Sequence, residues 1–244
     1  MIKSYSAKTN QGPCLEVNED DIHIDIANKL FLAFDGFGGA GIGDKTVGDL
    51  KNKISDFYTK IGGDPDSTMP FFYDPKNLIE TNAFINSMLM AHEDLLKKNE
   101  PKQMHQRGGA SMMATILCEN ILSVVSVGNL VCALVRDSKV QLVTTPDTMD
   151  PPWIDTYQPH FYTTPLNAFG LFTNLNYESK EIRVRDGDTV LVMSDGVYSR
   201  LTPKDIREIV ANGQLKEVEK VDKLFALSNE RGNRDNQSAI ILRF

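Results

Sequence analysis

Two apolar runs constrain this chain more than any other feature. Leu30-Phe31-Leu32-Ala33-Phe34 leads into Asp35-Gly36, and Val190-Leu191-Val192-Met193-Ser194 leads into Asp195-Gly196. A run with no polar alternation reads as a buried strand. Two further acidic signals border strand-like segments. Asn18-Glu19-Asp20-Asp21 lies ahead of the first run, and Asp235-Asn236 precedes Ser238-Ala239-Ile240-Ile241-Leu242. An Asp-Gly pair is by itself a good turn dipeptide, as Asp186-Gly187 reads here. Four acidic signals at strand borders, spread over the whole chain, read instead as one site assembled by folding. Crowded carboxylates repel unless cations lie between them, and all-oxygen ligation suits Mg²⁺ or Mn²⁺ rather than Zn²⁺.

The surrounding pattern alternates strand groups with helices. Ile22-His23-Ile24-Asp25-Ile26 has period two and reads as a half-buried strand, with a turn at Ala27-Asn28-Lys29. Val47, Leu50, Ile54, Phe57 and Ile61 recur at helical spacing, and Gly62-Gly63 marks the stop. Asp74-Pro75 is expected to open a second helix reaching about Lys98. Residues 110–143 read as strands with turns at Glu119-Asn120 and Asp137-Ser138, and strands resume at 181–185 and 189–193. Thr202-Pro203 starts a short helix ending near Gly213, and Leu215, Val218, Val221 and Leu224 mark another. Between these lies an irregular segment, 144–179, where Pro146, Pro151, Pro152, Pro159 and Pro165 are mixed with Trp153, Tyr157, Phe161 and Tyr162. A loop of that length inside a compact chain is expected to be functional or mobile.

A length of 244 residues fits one domain with a full core, residues 1–244. The formal net charge of -7, with no basic cluster, argues against a nucleic-acid partner. Cys14, Cys118 and Cys132 lack metal-ligand spacing and read as free thiols. No signal peptide and no membrane-length apolar stretch is apparent, so the expected setting is the cytoplasm without a membrane partner.

Other motifs read as decoys. Gly36-Phe37-Gly38-Gly39-Ala40-Gly41 fits G-x-G-x-x-G, but Asp35 would set a carboxylate against a pyrophosphate, and the strands downstream look antiparallel. Asp44 interrupts what would otherwise approach a Walker A loop. His23 and His92 read as surface or edge residues, while His105 and His160 lie in loops that could meet a substrate.

The blocks "SAKTNQGPCLEVNEDD", "LFLAFDGFGGAGIGD", "GGASMMATIL", "LSVVSVGN", "GDTVLVMSDGVY" and "RDNQSAIIL" occur in this order and reach nearly end to end. In that order they resemble the PPM-type metal-dependent serine/threonine protein phosphatases, particularly the compact bacterial ones. The resemblance implies an α+β fold, a four-layer αββα sandwich of two antiparallel sheets flanked by helices, with two Mn²⁺ or Mg²⁺ ions at one edge. It implies that Asp35 bridges the ions and the Gly36 carbonyl joins one of them. Asp195 and Asp235 complete one shell and Glu19 belongs to the other. Asp20 orients the attacking water, with Asn18 and Asn236 as supporting partners. It also implies a flap in the region of 144–179. The expected substrate is a phosphorylated Ser/Thr protein, such as a protein kinase substrate.

Three positions depart from the family pattern. Leu15 stands where an Arg usually binds substrate phosphate. Asn129 replaces the Asp that many bacterial members use for a third ion, so a third ion is expected to be weak or absent. Phe37 stands where bacterial members commonly carry Met. Two functions stay open at this point. One is an active phosphatase with altered substrate binding. The other is a metal-binding pseudophosphatase that recognises a phosphoprotein or partner.

Overall fold

A computed structural model describes residues 1–39, 41–63, 69–149 and 163–244. In chain order the first elements are β1 (Ser4–Asn10), β2 (Asp20–Asp25), β3 (Leu30–Phe37), α1 (Ile42–Gly63) and α2 (Ile79–Asn99). The strands β4 (Gly109–Cys118), β5 (Ile121–Val127), β6 (Val131–Arg136), β7 (Lys139–Leu142), β8 (Glu178–Arg183) and β9 (Thr189–Met193) follow. Three helices, α3 (Asp195–Tyr198), α4 (Pro203–Val210) and α5 (Glu217–Glu230), lead to β10 (Gln237–Arg243). One sheet has the order β1-β10-β9-β6-β7 and the other β2-β3-β4-β5-β8. Every strand pairing among the described residues is antiparallel, which disposes of the dinucleotide-binding alternative.

The apolar runs divide their side chains between two cores. Phe31 and Ala33 of β3 meet Val190 and Val192 of β9 and Ile240 and Leu242 of β10 between the sheets. Leu30, Leu32 and Phe34 point the other way, onto Val47, Leu50 and Ile54 of α1 and Phe84 and Met88 of α2. Leu191 and Met193 of β9 face Ile206 of α4 and Val221 and Leu224 of α5. Helix, sheet, sheet, helix is therefore the layer order, and strands buried on both faces need no polar alternation. Truncating a side chain such as Phe34, which has no exposed surface, costs about 3–5 kcal/mol in such a core.

Local expectations were met unevenly. Thr202 caps α4 through a reciprocal capping box with Asp205, and Pro203 occupies the first turn. Asp137 and Ser138 both adopt positive φ in the turn between β6 and β7. On α1 it is Tyr58 rather than Phe57 that completes the buried stripe, packing edge-on to Phe84. The second helix begins at Ile79, later than Asp74-Pro75 suggests. Asp74 closes a separate turn by accepting from the Lys76 amide, while Glu181 of β8 accepts from the Leu78 amide at 2.8 Å. A carboxylate distant in sequence thus ties down the residue that precedes the helix, which has no side-chain cap of its own. His92 is buried, not a surface residue: its Nε2 lies 2.9 Å from the Phe172 carbonyl, and its Nδ1 accepts from the Gly170 amide. The three cysteines are free. Among the described residues no helix is long and apolar enough to cross a membrane.

Candidate metal centre

The strand directions bring the four acidic signals to one end of the sandwich. Asp20, the first residue of β2, is paired in register with Asp35 near the end of β3. Asp195 follows the last residues of β9 and opens α3, and Asp235 lies just before β10, which pairs with β9. Glu19, Asp35, Gly36, Asp195, Asp235 and Asn236 line one cavity of about 470 Å³. Leu15, Phe37, Asn129 and Thr163 complete much of its wall, and no Lys, Arg or His lines it among the described residues.

Neither Asp-Gly pair of the site is a hairpin turn. Asp35-Gly36 lies within β3, and Asp195-Gly196 starts a helix. A Cβ on Gly36 would stand 2.6 Å from the Glu19 carbonyl oxygen, and one on Gly196 would stand 1.8 Å from that of Asn236. Glycine is required at both because backbones converge there. Asp186-Gly187 is the true turn, with Gly187 at φ 91°.

The supporting residues act mainly through the backbone. Asn236 Oδ1 accepts from the Glu19 amide at 2.9 Å, and its Nδ2 donates to the carbonyls of Gln11 and Val17. Asn18 accepts from the Asp20 amide and donates to Thr9 Oγ1. Glu19 Oε1 accepts from the Gly43 amide. Ser194 Oγ donates to Asp20 Oδ2 at 2.9 Å. Asn129, on the turn between β5 and β6, donates through Nδ2 to Asp35 Oδ2 and Asp195 Oδ2, each at 3.1 Å. Thr163 Oγ1 adds a 2.6 Å bond to Asp195 Oδ2, and Tyr198 OH holds the Asn129 carbonyl.

The electrostatics are those of negative charge lacking a counterion. Burial, then Asp195, Asp20 and Asp235, push the Asp35 carboxyl well above the usual carboxylate range, although Asp35 keeps partial exposure to the cavity. Burial, then Asp235, pushes Asp195 up to about 6, against the hydrogen bonds from Thr163 and Asn129. Burial pushes Asp20 up to about 8 despite its bonds to Ser194 and Ser238. Burial also raises Glu19, opposed by the Gly43 amide.

These residues fit hard divalent cations by donor chemistry and by charge. The donors are all oxygen, and the side chains lining the cavity supply no cation to balance the carboxylates. Asn129 Oδ1 is buried and accepts no hydrogen bond among the described residues, so a polar acceptor is left unsatisfied at the site. Among those residues no three His, Cys, Asp or Glu side chains close tightly around a single point. The carboxylates instead stand around the cavity with the Asn129 amide between two of them.

Sequence reasoning missed Thr163, Ser194 and Tyr198. Ser194 and Tyr198 lie beside the second Asp-Gly pair, whereas nothing local marks Thr163. Leu15 does line the cavity, where a phosphate-binding Arg was expected from the resemblance. Lys8 and Arg107 do not supply a basic group in its place: neither lines the wall, Lys8 pairs with Asp222, and Arg107 Nε donates to the Lys102 carbonyl. Within the segment 144–179, residues 150–162, including His160 and most of the aromatic residues, lie outside the described residues.

No protein-family model matches the chain, and no curated protein matches it by sequence. Solved structures do match it over its full length. The serine/threonine phosphatase PstP/Ppp of Mycobacterium tuberculosis is 19% identical, with a TM-score of 0.78 over 100% of this chain and 99% of that one. The PPM Ser-Thr phosphatase MsPP of Mycobacterium smegmatis, in complex with cacodylate, is also 19% identical, with a TM-score of 0.77 and the same coverage. The catalytic domain of PstP in complex with two manganese ions is 20% identical, with a TM-score of 0.73 over 98% of this chain and 97% of that one. The chain has the fold of the PPM-type serine/threonine phosphatases.

Proposed function

We propose that the protein is a metal-dependent phosphatase acting on phosphorylated Ser/Thr proteins. The observation that carries this reading is a single cavity holding Glu19, Asp35, Asp195 and Asp235, with no cationic side chain in its lining, in a fold shared with PPM phosphatases. Asp35, the Gly36 carbonyl, Asp195, Asp235 and Glu19 would hold two Mn²⁺ or Mg²⁺ ions. When bound, the ions supply charge neutralisation for the phosphate and a lowered pKa for water, the two requirements of phosphomonoester hydrolysis.

The chain's own residues do the positioning. Cross-strand pairing and the Ser194 hydroxyl orient Asp20 beside Asp35, where its carboxylate can direct the attacking water. Asn129 and Thr163 fix the Asp195 oxygen that faces the cavity, so little reorganisation is needed when substrate arrives. Residues 144–179 would serve as a flap beside the cavity: Thr163, Pro165 and Leu171 already contribute to its wall. A phosphorylated protein, such as a kinase product, would be the substrate.

Hydrolysis of an aryl phosphate and of a phosphothreonine peptide in Mn²⁺ tests the reading, with Asp35→Asn as the control. Metal-dependent turnover by the parent and its loss in Asp35→Asn are expected. Parent-level hydrolysis by Asp35→Asn, or none by the parent in Mn²⁺ or Mg²⁺, would refute it.

A further inference from the structure

A second cavity, of about 290 Å³, adjoins the carboxylate cavity and shares Leu15, Thr163, Asp195 and Asp235 with it. Its remaining wall is of a different kind, formed by Ser199, Arg200, Asn233 and Arg234 together with Gly196. Leu15, Thr163, Asp195 and Asp235 thus border both a cavity with two further carboxylates, Glu19 and Asp35, and a cavity with two arginines.

Both arginines are carried on backbone that is held in place. Asn233 clamps the loop around Arg234, accepting from the Asp235 amide at 3.1 Å and donating to the Asp235 carbonyl at 2.9 Å. The Arg200 carbonyl accepts from Arg231 Nη1 at 2.9 Å, and Arg231 is itself held by Asp205. Arg234 is exposed, and among the described residues it makes no ion pair, although Asp235 is its neighbour in sequence. Elsewhere in this acidic chain Arg136 pairs with Asp188, Arg185 with Asp137 and Arg231 with Asp205. An arginine that lines a cavity and makes no ion pair there, as Arg234 does among the described residues, is suited to an anion from elsewhere.

We propose that Arg200 and Arg234 form an anion subsite that reads a second negative group of the substrate, beside the phosphate being hydrolysed. This rests on the phosphatase reading and deepens it by naming a substrate class: phosphoproteins whose target residue has an acidic or phosphorylated neighbour. Arg200 and Arg234 line the second cavity and not the one that holds Glu19 and Asp35, which assigns them to a neighbouring group rather than to the reacting phosphate. Binding energy lost at Leu15 is then recovered at a neighbouring residue, so selectivity is gained where a small aryl phosphate gains nothing.

Three peptides with one phosphothreonine test this, having neutral neighbours, glutamates, or a phosphoserine beside it. Turnover in Mn²⁺ and anisotropy of the fluorescein-labelled peptides with metal-free protein are both read. The glutamate or phosphoserine peptides should exceed the neutral one in kcat/KM by roughly ten-fold, chiefly through KM, as a charge-assisted hydrogen bond allows. Arg234→Gln and Arg200→Gln should each bring that ratio towards one, and Arg234→Lys should restore part of it. A gain for both anionic peptides assigns the subsite to anions in general; a gain for phosphoserine alone assigns it to phosphate. A parent ratio of one, or a ratio that survives both Gln substitutions, would overturn the subsite. If the parent hydrolyses no peptide, the phosphatase reading fails and anisotropy decides the subsite. Tighter binding of the anionic peptides that is lost in Arg234→Gln supports it, and equal binding overturns it.

Discussion

Replacing Asp195 by Asn should make the metal-free protein more stable while removing its response to metal. Asp195 is 9% exposed, and burial with the nearby Asp235 pushes its carboxyl from the ordinary 3.8 to about 6. A carboxyl whose folded pKa is raised favours folding only when protonated. Its ionised form therefore works against the fold as pH rises from 3.8 through about 6. At pH 7 that penalty is roughly 3 kcal/mol, from the free energy equivalent of one pKa unit. The amide keeps an oxygen able to accept from Asn129 and Thr163, as Asp195 Oδ2 does now. Relieving the penalty should raise the metal-free Tm by about 6–12 °C, given about 2–4 °C per kcal/mol for a chain of this size. Mn²⁺ at a hundred times its Kd should stabilise the parent by about 2.7 kcal/mol and the variant far less. Thermal unfolding at pH 7 with chelator and then with Mn²⁺ reads both effects, and in chelator the gap should narrow as the pH is lowered towards 4. If the variant melts at or below the parent in chelator, or both gain equally from Mn²⁺, the picture of uncompensated carboxylates is wrong.

Other outcomes follow from individual residues. Leu15→Arg should lower KM for an aryl phosphate by roughly ten-fold and change kcat less, since ground and transition states both gain the contact; an unchanged or higher KM in steady-state assays would show that the cleft does not bind phosphate there. Asn129→Asp removes the donor shared by Asp35 and Asp195 and adds a carboxylate, so calorimetric titration should show a third Mn²⁺ that the parent takes up only at high concentration. Although burial opposes it, hydrogen bonds from Arg231 and Thr202 lower the Asp205 carboxyl to about 2, so its contribution is present above the ordinary 3.8 and fades as pH falls towards 2. Asp205→Ala should therefore cost roughly 2 kcal/mol in urea unfolding at pH 7, and less at pH 3.

The sequence by itself determined the layers and the acidic set. Five successive apolar residues from Leu30 to Phe34 can be buried only if both faces of β3 are covered, and that requirement is local. Asp35, Asp195 and Asp235 stand out because charge at the border of such runs is costly unless used. Tertiary structure decided what no periodicity encodes. The first strand, Ser4–Asn10, is largely polar and exists through its pairing with β10 at the other end of the chain. The start of α2 was misplaced because Leu78, the residue before the helix, is tied to Glu181, a residue of β8. His92 read as a surface residue because its partners, Gly170 and Phe172, are far along the chain. Asn129 looked in sequence only like a lost carboxylate; folding sets its amide between Asp35 and Asp195. Thr163 and the pair Arg200 and Arg234 gain meaning only from neighbours brought together across the fold. Burial periodicity is a property of a few adjacent residues, whereas a hydrogen bond across the site depends on the whole path of the chain between its partners.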